Sequence, residues 1–334
     1  MAVKIAGTGS YLPARVVTND EIAPQLQSTD EWIFSHTGIV SRHVAAPEES
    51  AATMGVAAAR AAMAAAGAEP AEIGLVVLAT TAPDYANYPS TACLVQAALG
   101  CANAAAFDLS AACSGFVYGL EMAKCYLLAH PGRKALVIGS ELLSRHIDWT
   151  DRSNAMLFGD GAGAVVLEAV PGDVSPRVRS ILGADGTGAS LIHRDCGNRR
   201  PLSGDPVHQA ADKMDVAYLR MDGHAVFTFA VRKLAEILGT LCRETSLEPS
   251  ALDMVFAHQA NIRILDAVAR RMKLPMEKFY TNLKTVGNTS SASIPLCLDQ
   301  AAREGVLKDG MKLVLAGFGS GLTWAGSLVE WPYV

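Results

Sequence analysis

The sequence predicts an α/β protein made of two related halves, each a sheet covered by helices. Three observations predict it. Half of the 334 residues are hydrophobic and 18% are charged, which supports a large buried core and argues against disorder. Short runs rich in Val, Ile and Leu alternate with Ala-rich stretches, and continuous apolar strands between helices belong to sheets buried on both faces. The alternation occurs in two successive series, and the length allows about two domains.

In chain order, a helix is expected at 51–66, then a strand at "LVVLAT" (75–80), a helix at 89–99 and a strand at "AAAFDL" (104–109). A helix at 114–129 follows, then strands at "KALVIG" (134–139) and "GAVVLEA" (163–169). The later chain gives a strand at "DMVFAH" (253–258), helices at 260–272 and 291–304, and strands at "KLVLAGF" (312–318) and "TWAGSLVEW" (323–331). "VPGDVSP" (170–176) is the boundary that Pro and Gly suggest, dividing the chain into 1–172 and 173–334. The stretch 184–222 is polar and weakly periodic, and reads as an irregular excursion of the kind that shapes pockets.

A net charge of −5 argues against nucleic acid as the main partner. The N-terminal residues show no long apolar stretch of a signal peptide and no run suits a membrane span, so a cytoplasmic protein is expected. Seven cysteines with no CxxC pair suggest neither a disulfide framework nor a metal site.

Cys113, in "DLSAACSGF" (108–116), follows a strand and opens a helix among small neighbours. A helix N-terminus lowers a thiol's pKa and favours the thiolate, so Cys113 reads either as a nucleophile or as a small core residue. Cys93, Cys125, Cys242 and Cys297 lie in expected helices, Cys101 in a loop and Cys196 in the excursion, and none has that placement. His258, in "VFAHQAN", ends a strand before a helix, where α/β sheets bind ligands; the other reading is a buried histidine bonded to backbone. His36, His43, His130, His146, His193, His208 and His224 read as surface or loop residues. Asn288, in "TVGNTSSASIP", is either a helix N-cap or an amide donor for an oxyanion. "FGDGAGAVVL" (158–167) lacks a P-loop lysine and reads as a turn into a strand; "FGSGLTW" (318–324) is a similar turn with backbone N–H groups to offer.

Taken together, "DLSAACSGF", "AHQANIRIL", "VGNTSSASIP" and "FGSGLTWAG" resemble β-ketoacyl-acyl-carrier-protein synthase III, a family of thiolase-fold condensing enzymes. The resemblance extends through "STDEWI…TGI" and "FGDGAGA" over essentially the whole chain. It implies a thiolase-like fold: two pseudo-repeated halves, each with a mixed sheet, in a layered αβαβα core. It places Cys113, His258 and Asn288 on the family's Cys-His-Asn active site and gives the oxyanion hole to the backbone N–H groups of Cys113 and Ser320. The implied reaction condenses an acyl-CoA primer with malonyl-acyl carrier protein, releasing CO2, in a homodimer with acyl-CoA as substrate and no cofactor or metal. Trp32 and Arg152 match the pair that sandwiches the CoA adenine. Gly223, Phe227 and Asn261 match CoA and pantetheine positions; Tyr88 matches an aromatic that reaches the partner subunit's acyl pocket, and Phe158 belongs to that pocket. Arg263, Arg270 and Arg271, on the outer side of helix 260–272, are expected to receive the acidic carrier, while Ile262, Leu265, Val268 and Met272 face the core. Two positions depart from the family pattern: His36 replaces a common arginine, and Thr228 stands where a docking lysine is common. The same triad also serves secondary-metabolite starter condensation and acyl transfer without decarboxylation, and a catalytically silent thiolase-like partner remains a further alternative.

Overall fold

The computed structural model describes residues 1–86, 88–172, 178–194 and 218–334. Cys196, His208 and residues 173–176 of the expected boundary lie outside the described residues. The strands of the two main sheets are numbered in chain order. The first sheet holds β1 (Ala2–Tyr11), β2 (Ile73–Ala79), β3 (Ala105–Leu109), β4 (Lys134–Glu141) and β5 (Gly161–Val170) in the order β1-β5-β4-β2-β3. The second holds β6 (Arg179–Ala184), β7 (Met254–Ala257), β8 (Lys312–Gly319) and β9 (Thr323–Glu330) in the order β7-β8-β9-β6.

The two sheets follow one plan. In the first, β1/β5 and β5/β4 are antiparallel and β4/β2 and β2/β3 parallel. In the second, β6/β9 and β9/β8 are antiparallel and β8/β7 parallel, and a parallel bridge from Val255 to Phe279 stands where β3 stands in the first. Both sheets are therefore mixed.

Each half places two helices outside its sheet and one inside. The outer helices are α2 (Ala51–Ala66) and α3 (Thr91–Leu99) in the first half, and α5 (Gly223–Glu244) and α6 (Ile262–Met272) in the second. The inner helices are α4 (Gly115–Ala129) and α7 (Ser293–Arg303); α1 (Asp30–Thr37) precedes them all near the N-terminus. Strand alternation explains the layering, because successive side chains point to opposite faces. Leu75 and Val77 join Phe116 and Leu120 of α4, Ile294 and Leu298 of α7, and Leu313 and Leu315 of the second sheet in one central core. Val76 and Leu78 point the other way, onto Met54 and Ala58 of α2 and Val95 of α3. Val314 and Ala316 likewise meet Leu234 and Leu238 of α5 and Leu265 and Val268 of α6. The result is five layers, helix, sheet, helix, sheet, helix.

The inner helices begin at equivalent places. A single 3-10 turn, Ala112–Ser114, precedes α4, and another, Ser290–Ala292, precedes α7. Each turn opens on a residue in the left-handed region, Ala112 at φ +47° and Ser290 at φ +46°. Both turns lie directly on a strand of the neighbouring sheet, and glycine makes that approach possible. A Cβ on Gly319 would stand 2.6 Å from the Cys113 nitrogen, and one on Gly139 would stand 2.4 Å from the Ser291 oxygen.

The structure adds elements the sequence reading left out: β1, β6, α1, an antiparallel pair of Arg15–Thr18 with Ser41–Val44, and α5. It also resolves the described ends of the excursion, where Ile192–His193 pairs antiparallel with Arg220–Met221. In α6 the buried residues are Ile264, Leu265, Val268 and Ala269, while Ile262 and Met272 are half-buried. The core face is thus rotated slightly from the expected one, and Arg263, Arg270 and Arg271 remain exposed.

Gly139→Ala should cost about 1–3 kcal/mol in urea unfolding, because the added methyl meets backbone that cannot yield locally. The displaced backbone belongs to the turn that carries Ser290.

Candidate active site

A cavity of about 750 Å³ opens between the halves, lined by Cys113, Phe158, His258, Asn288, Ser290 and Ser320 among others. Its floor is the meeting of the two turns. Cys113 sits in the first. Ser290, in the second, donates its hydroxyl to the Cys113 Sγ at 3.2 Å.

Ser290 also fixes the other two expected residues. Its backbone N–H donates to the Asn288 Oδ1 at 2.9 Å. Once that oxygen is engaged, the amide NH2 is the group Asn288 has to offer the cavity. Asn288 is 4% exposed, and its backbone is held against residues 157–159: its N–H donates to the Leu157 carbonyl at 2.8 Å and its carbonyl accepts from Gly159 at 3.0 Å. Its Oδ1 thus caps the Ser290–Ala292 turn while its amide NH2 remains to donate, so both readings of Asn288 stand.

His258 follows the end of β7 and is 1% exposed. Its backbone N–H bonds the Ala316 carbonyl at 2.7 Å. The ring's Nδ1 lies 3.3 Å from the Ser293 hydroxyl, and the Ser290 backbone is within hydrogen-bonding reach of the ring. Burial pushes the imidazole down to about 3, and the Ser290 backbone opposes this. His258 is therefore a neutral imidazole at any ordinary pH, able to donate a hydrogen bond but not to carry a charge.

Cys113 departs from expectation. The helix terminus was expected to favour the thiolate, yet burial pushes the thiol up to about 12. The Ser290 hydroxyl opposes this and the buried Glu141 carboxyl adds to it.

Trp32 on α1 and Arg152 are in contact, with the guanidinium carbon 3.7 Å from the indole centroid. His36, one turn on, stacks against the same indole at 3.9 Å, its Nδ1 2.7 Å from the Trp32 carbonyl oxygen. In this state no slot separates Trp32 from Arg152; a planar guest between them requires Arg152 to move. The departure at His36 thus becomes a support for the indole. Asn261 caps α6, accepting the Arg263 N–H at 2.9 Å and donating to the His36 carbonyl at 2.9 Å, so it ties α6 to α1.

The remaining residues distribute unevenly. Phe158 lines the cavity and is buried. Val226 lines it as well, whereas Phe227 packs on the outer core of the second half and Gly223 is exposed at the start of α5. Tyr85 and Ala86 line the cavity, while Tyr88 is 85% exposed. Ser320 lines it and donates its hydroxyl to the Ile192 carbonyl. Sequence reasoning missed Ser290, although the quoted "GNTSSAS" contains it, and missed the cavity-lining His146 and His193, which it took for surface or loop residues. His146 is pushed down to about 4 by burial, with Arg194 and Arg145 adding to the effect. Among the described residues no cluster of His, Cys, Asp and Glu suits a metal ion.

Family models for 3-oxoacyl-[acyl-carrier-protein] synthase III match residues 107–186, and the C-terminal model of the same family matches 242–331. The β-ketoacyl-[acyl-carrier-protein] synthase III of Methylococcus capsulatus is 42% identical over 98% of both chains. The chain belongs to the β-ketoacyl-acyl-carrier-protein synthase III family. A synthase III from Bordetella petrii is 45% identical over 98% of this chain and 97% of its own. The crystal structure of the 3-oxoacyl-(acyl carrier protein) synthase III of Pseudomonas aeruginosa superposes with a TM-score of 0.88, at 40% identity and 99% coverage of both chains. The five layers are the thiolase-type fold of this synthase III family.

Two outcomes follow from the geometry. Trp32→Ala should raise the KM for acyl-CoA several-fold and leave a short acyl-pantetheine donor unaffected, as steady-state kinetics with both donors would measure. CO2 release from malonyl-thioester should show no ionisation of His258 between about pH 5 and pH 8, because the ring is already neutral there; an inflection near the free-histidine value that disappears in His258→Gln would contradict this.

Proposed function

We propose that Cys113 carries the acyl group and that His258 and Asn288 hold the enolate in a decarboxylative condensation within this cavity. The chain is an acyl-transferring condensing enzyme of the synthase III type: it joins the acyl group of an acyl-CoA to malonyl-acyl carrier protein and so initiates fatty acid synthesis. The observation that carries the residue assignment is the convergence of one thiol, one neutral imidazole and one buried amide on a single cavity floor.

In the first half-reaction the Cys113 sulfur attacks the thioester carbon, and CoA leaves as the thiol. In the second, malonyl-thioester loses CO2 and the electron pair passes to the thioester oxygen. A neutral imidazole N–H and an amide N–H are suitable donors to that oxygen, since they stabilise the charge without a prior protonation. The carbanion then attacks the acyl-Cys113 carbonyl, whose oxygen is assigned to the backbone N–H groups of Cys113 and Ser320. The half 1–172 thus supplies the nucleophile and the half 173–334 the enolate donors. No cofactor enters these steps.

Substrate and partner assignments follow the same reading. Trp32 and Arg152 hold the adenine, Gly223, Phe227 and Asn261 flank the path of the pantetheine arm, and Phe158 borders the acyl end. Arg263, Arg270 and Arg271 form a local basic face on an acidic protein, which suits an acidic carrier. A homodimer is supported by β3, a sheet-edge strand whose Phe107 is 40% exposed, and by the exposed Tyr88 ring. An apolar edge strand left open is a template for pairing with a second copy.

Intact-protein mass spectrometry after acyl-CoA treatment, followed by peptide mapping, should place a single acyl group on Cys113; equal labelling of Cys242 or Cys297 would overturn the assignment. His258→Ala and Asn288→Ala should still load the acyl group but lose about 10²–10³-fold in CO2 release from malonyl-thioester. Reversing Arg263 and Arg270 to Glu should raise the KM for malonyl-carrier at low salt and leave acyl loading of Cys113 close to wild type.

A further inference from the structure

His146, His193 and Arg194 line the same cavity as Cys113, and no step of the condensation uses them. Three nitrogen-bearing side chains are an unfavourable lining for a plain hydrocarbon chain. A polar group that loses its water and gains no partner costs about 1–3 kcal/mol.

The chain around them fixes where they stand. His146 closes the 3-10 turn Leu143–Arg145, its N–H donating to the Leu143 carbonyl at 2.8 Å. Its own carbonyl accepts the Leu219 N–H at 2.8 Å. Leu143, Phe158, Leu219 and Met221 pack in one apolar cluster, and all four line the cavity. On the other side of Leu219–Met221, Ile192 pairs with Met221 and His193 with Arg220. Ile192 takes the Ser320 hydroxyl on its carbonyl, and the adjoining Gly319 lies against the Cys113 backbone. The chain thus passes the nucleophile's turn at Ile192. At about 3.3 Å per extended residue it has moved about 6–7 Å on by Arg194. An apolar sleeve beside Cys113 is therefore bordered by a polar group of three side chains.

Their other bonds decide what each has to offer. Among the described residues the His146 ring makes no hydrogen bond, and it is only half-buried, with the cavity in front of it. Held neutral, it can donate through either ring nitrogen. The His193 Nδ1 is taken by the Ser190 carbonyl at 3.0 Å, which leaves Nε2 to face a guest. Arg194 has a partner already. A guanidinium carries five N–H donors, and here it matters as a positive charge on the wall. Asp108 also lines the cavity, but it is bound to the N–H groups of Thr91 and Ala92 at 2.7 Å each, so its charge is answered by the start of α3.

We infer that the acyl group loaded on Cys113 ends in a carboxylate: the donor is the CoA monothioester of a short dicarboxylic acid, its far end held by Arg194 and His146 with His193 beside them. This rests on Cys113 being the acylated thiol of this cavity. The covalent step is the ordinary one. The sulfur bonds the thioester carbon, the C–S bond to CoA breaks with its pair going to the CoA sulfur, and the thiol proton ends there. The far carboxylate does not react. It accepts the donors of the polar wall, in charge-assisted bonds that are stronger than neutral ones. A methyl-ended chain of the same length would strip water from the same groups and return no acceptor. Sites built to hydrogen-bond a substrate group reject analogues lacking it by up to about 10⁴–10⁵, and half-buried groups that keep part of their water stand at the low end of such discrimination.

Cys113 loading in the full-length enzyme is timed by intact-protein mass spectrometry with peptide mapping. The donors are succinyl-, glutaryl- and adipyl-CoA, each beside the branched acyl-CoA in which an isopropyl group replaces the carboxylate and keeps its shape. The carboxylate donor of the right length should load about tenfold or more faster than its branched partner. Arg194→Met and His146→Leu should each lower that ratio several-fold, and His146→Asn, which keeps an N–H donor, should restore part of it. Should one variant fail to fold, the others carry the test. If no carboxylate donor outpaces its branched partner in the wild type, the proposal is overturned while the condensing reading stands. If no donor, acetyl-CoA included, labels Cys113, the condensing reading falls as well. Substitutions that slow both members of a pair equally would assign the wall to CoA or to packing and overturn the proposal. So would variants that keep the wild-type ratio but lose CO2 release, since the wall would then hold the malonyl carboxylate.

Discussion

The contact between Cys113 and Ser290 organises this molecule. It is the point where the first turns of the two inner helices meet, one from each half. The conditions around it can be read as requirements of that meeting. Glycines on β4 and β8 let the turns lie flat on the sheets. The left-handed residues Ala112 and Ser290 reverse the chain sharply enough to aim both turns inward. The central core, shared by both sheets and both helices, holds the turns at one separation. Binding energy and catalytic geometry therefore draw on the same buried layer.

Much of this was legible in the sequence. The inner strands were readable because burial on both faces demands unbroken apolar runs, as in "LVVLAT" and "KLVLAGF". β1 was missed for a physical reason. Gly7 and Gly9 dilute its pattern, and they are there because α2 presses on them: a Cβ at Gly7 would stand 2.5 Å from the Ala62 oxygen. α5 was missed although its signal is clear in retrospect, with Val226, Phe229, Ala230, Leu234, Ile237, Leu238 and Leu241 recurring at helical spacing.

The site was legible only in part. Residue types and motif order pointed to Cys113, His258 and Asn288, but not to how they are held. Ser290 reaches all three, through its hydroxyl and its backbone. Such a role depends on backbone direction, which local sequence does not encode when a non-glycine residue adopts φ +46°. The thiol's ionisation shows the same divide. Helix position is visible in sequence, whereas the depth of cover over a sulfur is a property of packing.

The pseudo-repeat gives the site an unusual mechanical position. A cavity within one domain is insulated from the movements of its neighbours. Here the Cys113 sulfur and the side chains of His258 and Asn288 belong to opposite halves and meet in one cavity. A slide of one sheet over the other by a fraction of an ångström would change the sulfur-to-hydroxyl distance directly, without disturbing any single residue's surroundings. The reactivity of Cys113 is in that sense a gauge of alignment: a chemical probe of this thiol reads the registration of the two halves as faithfully as it reads the thiol.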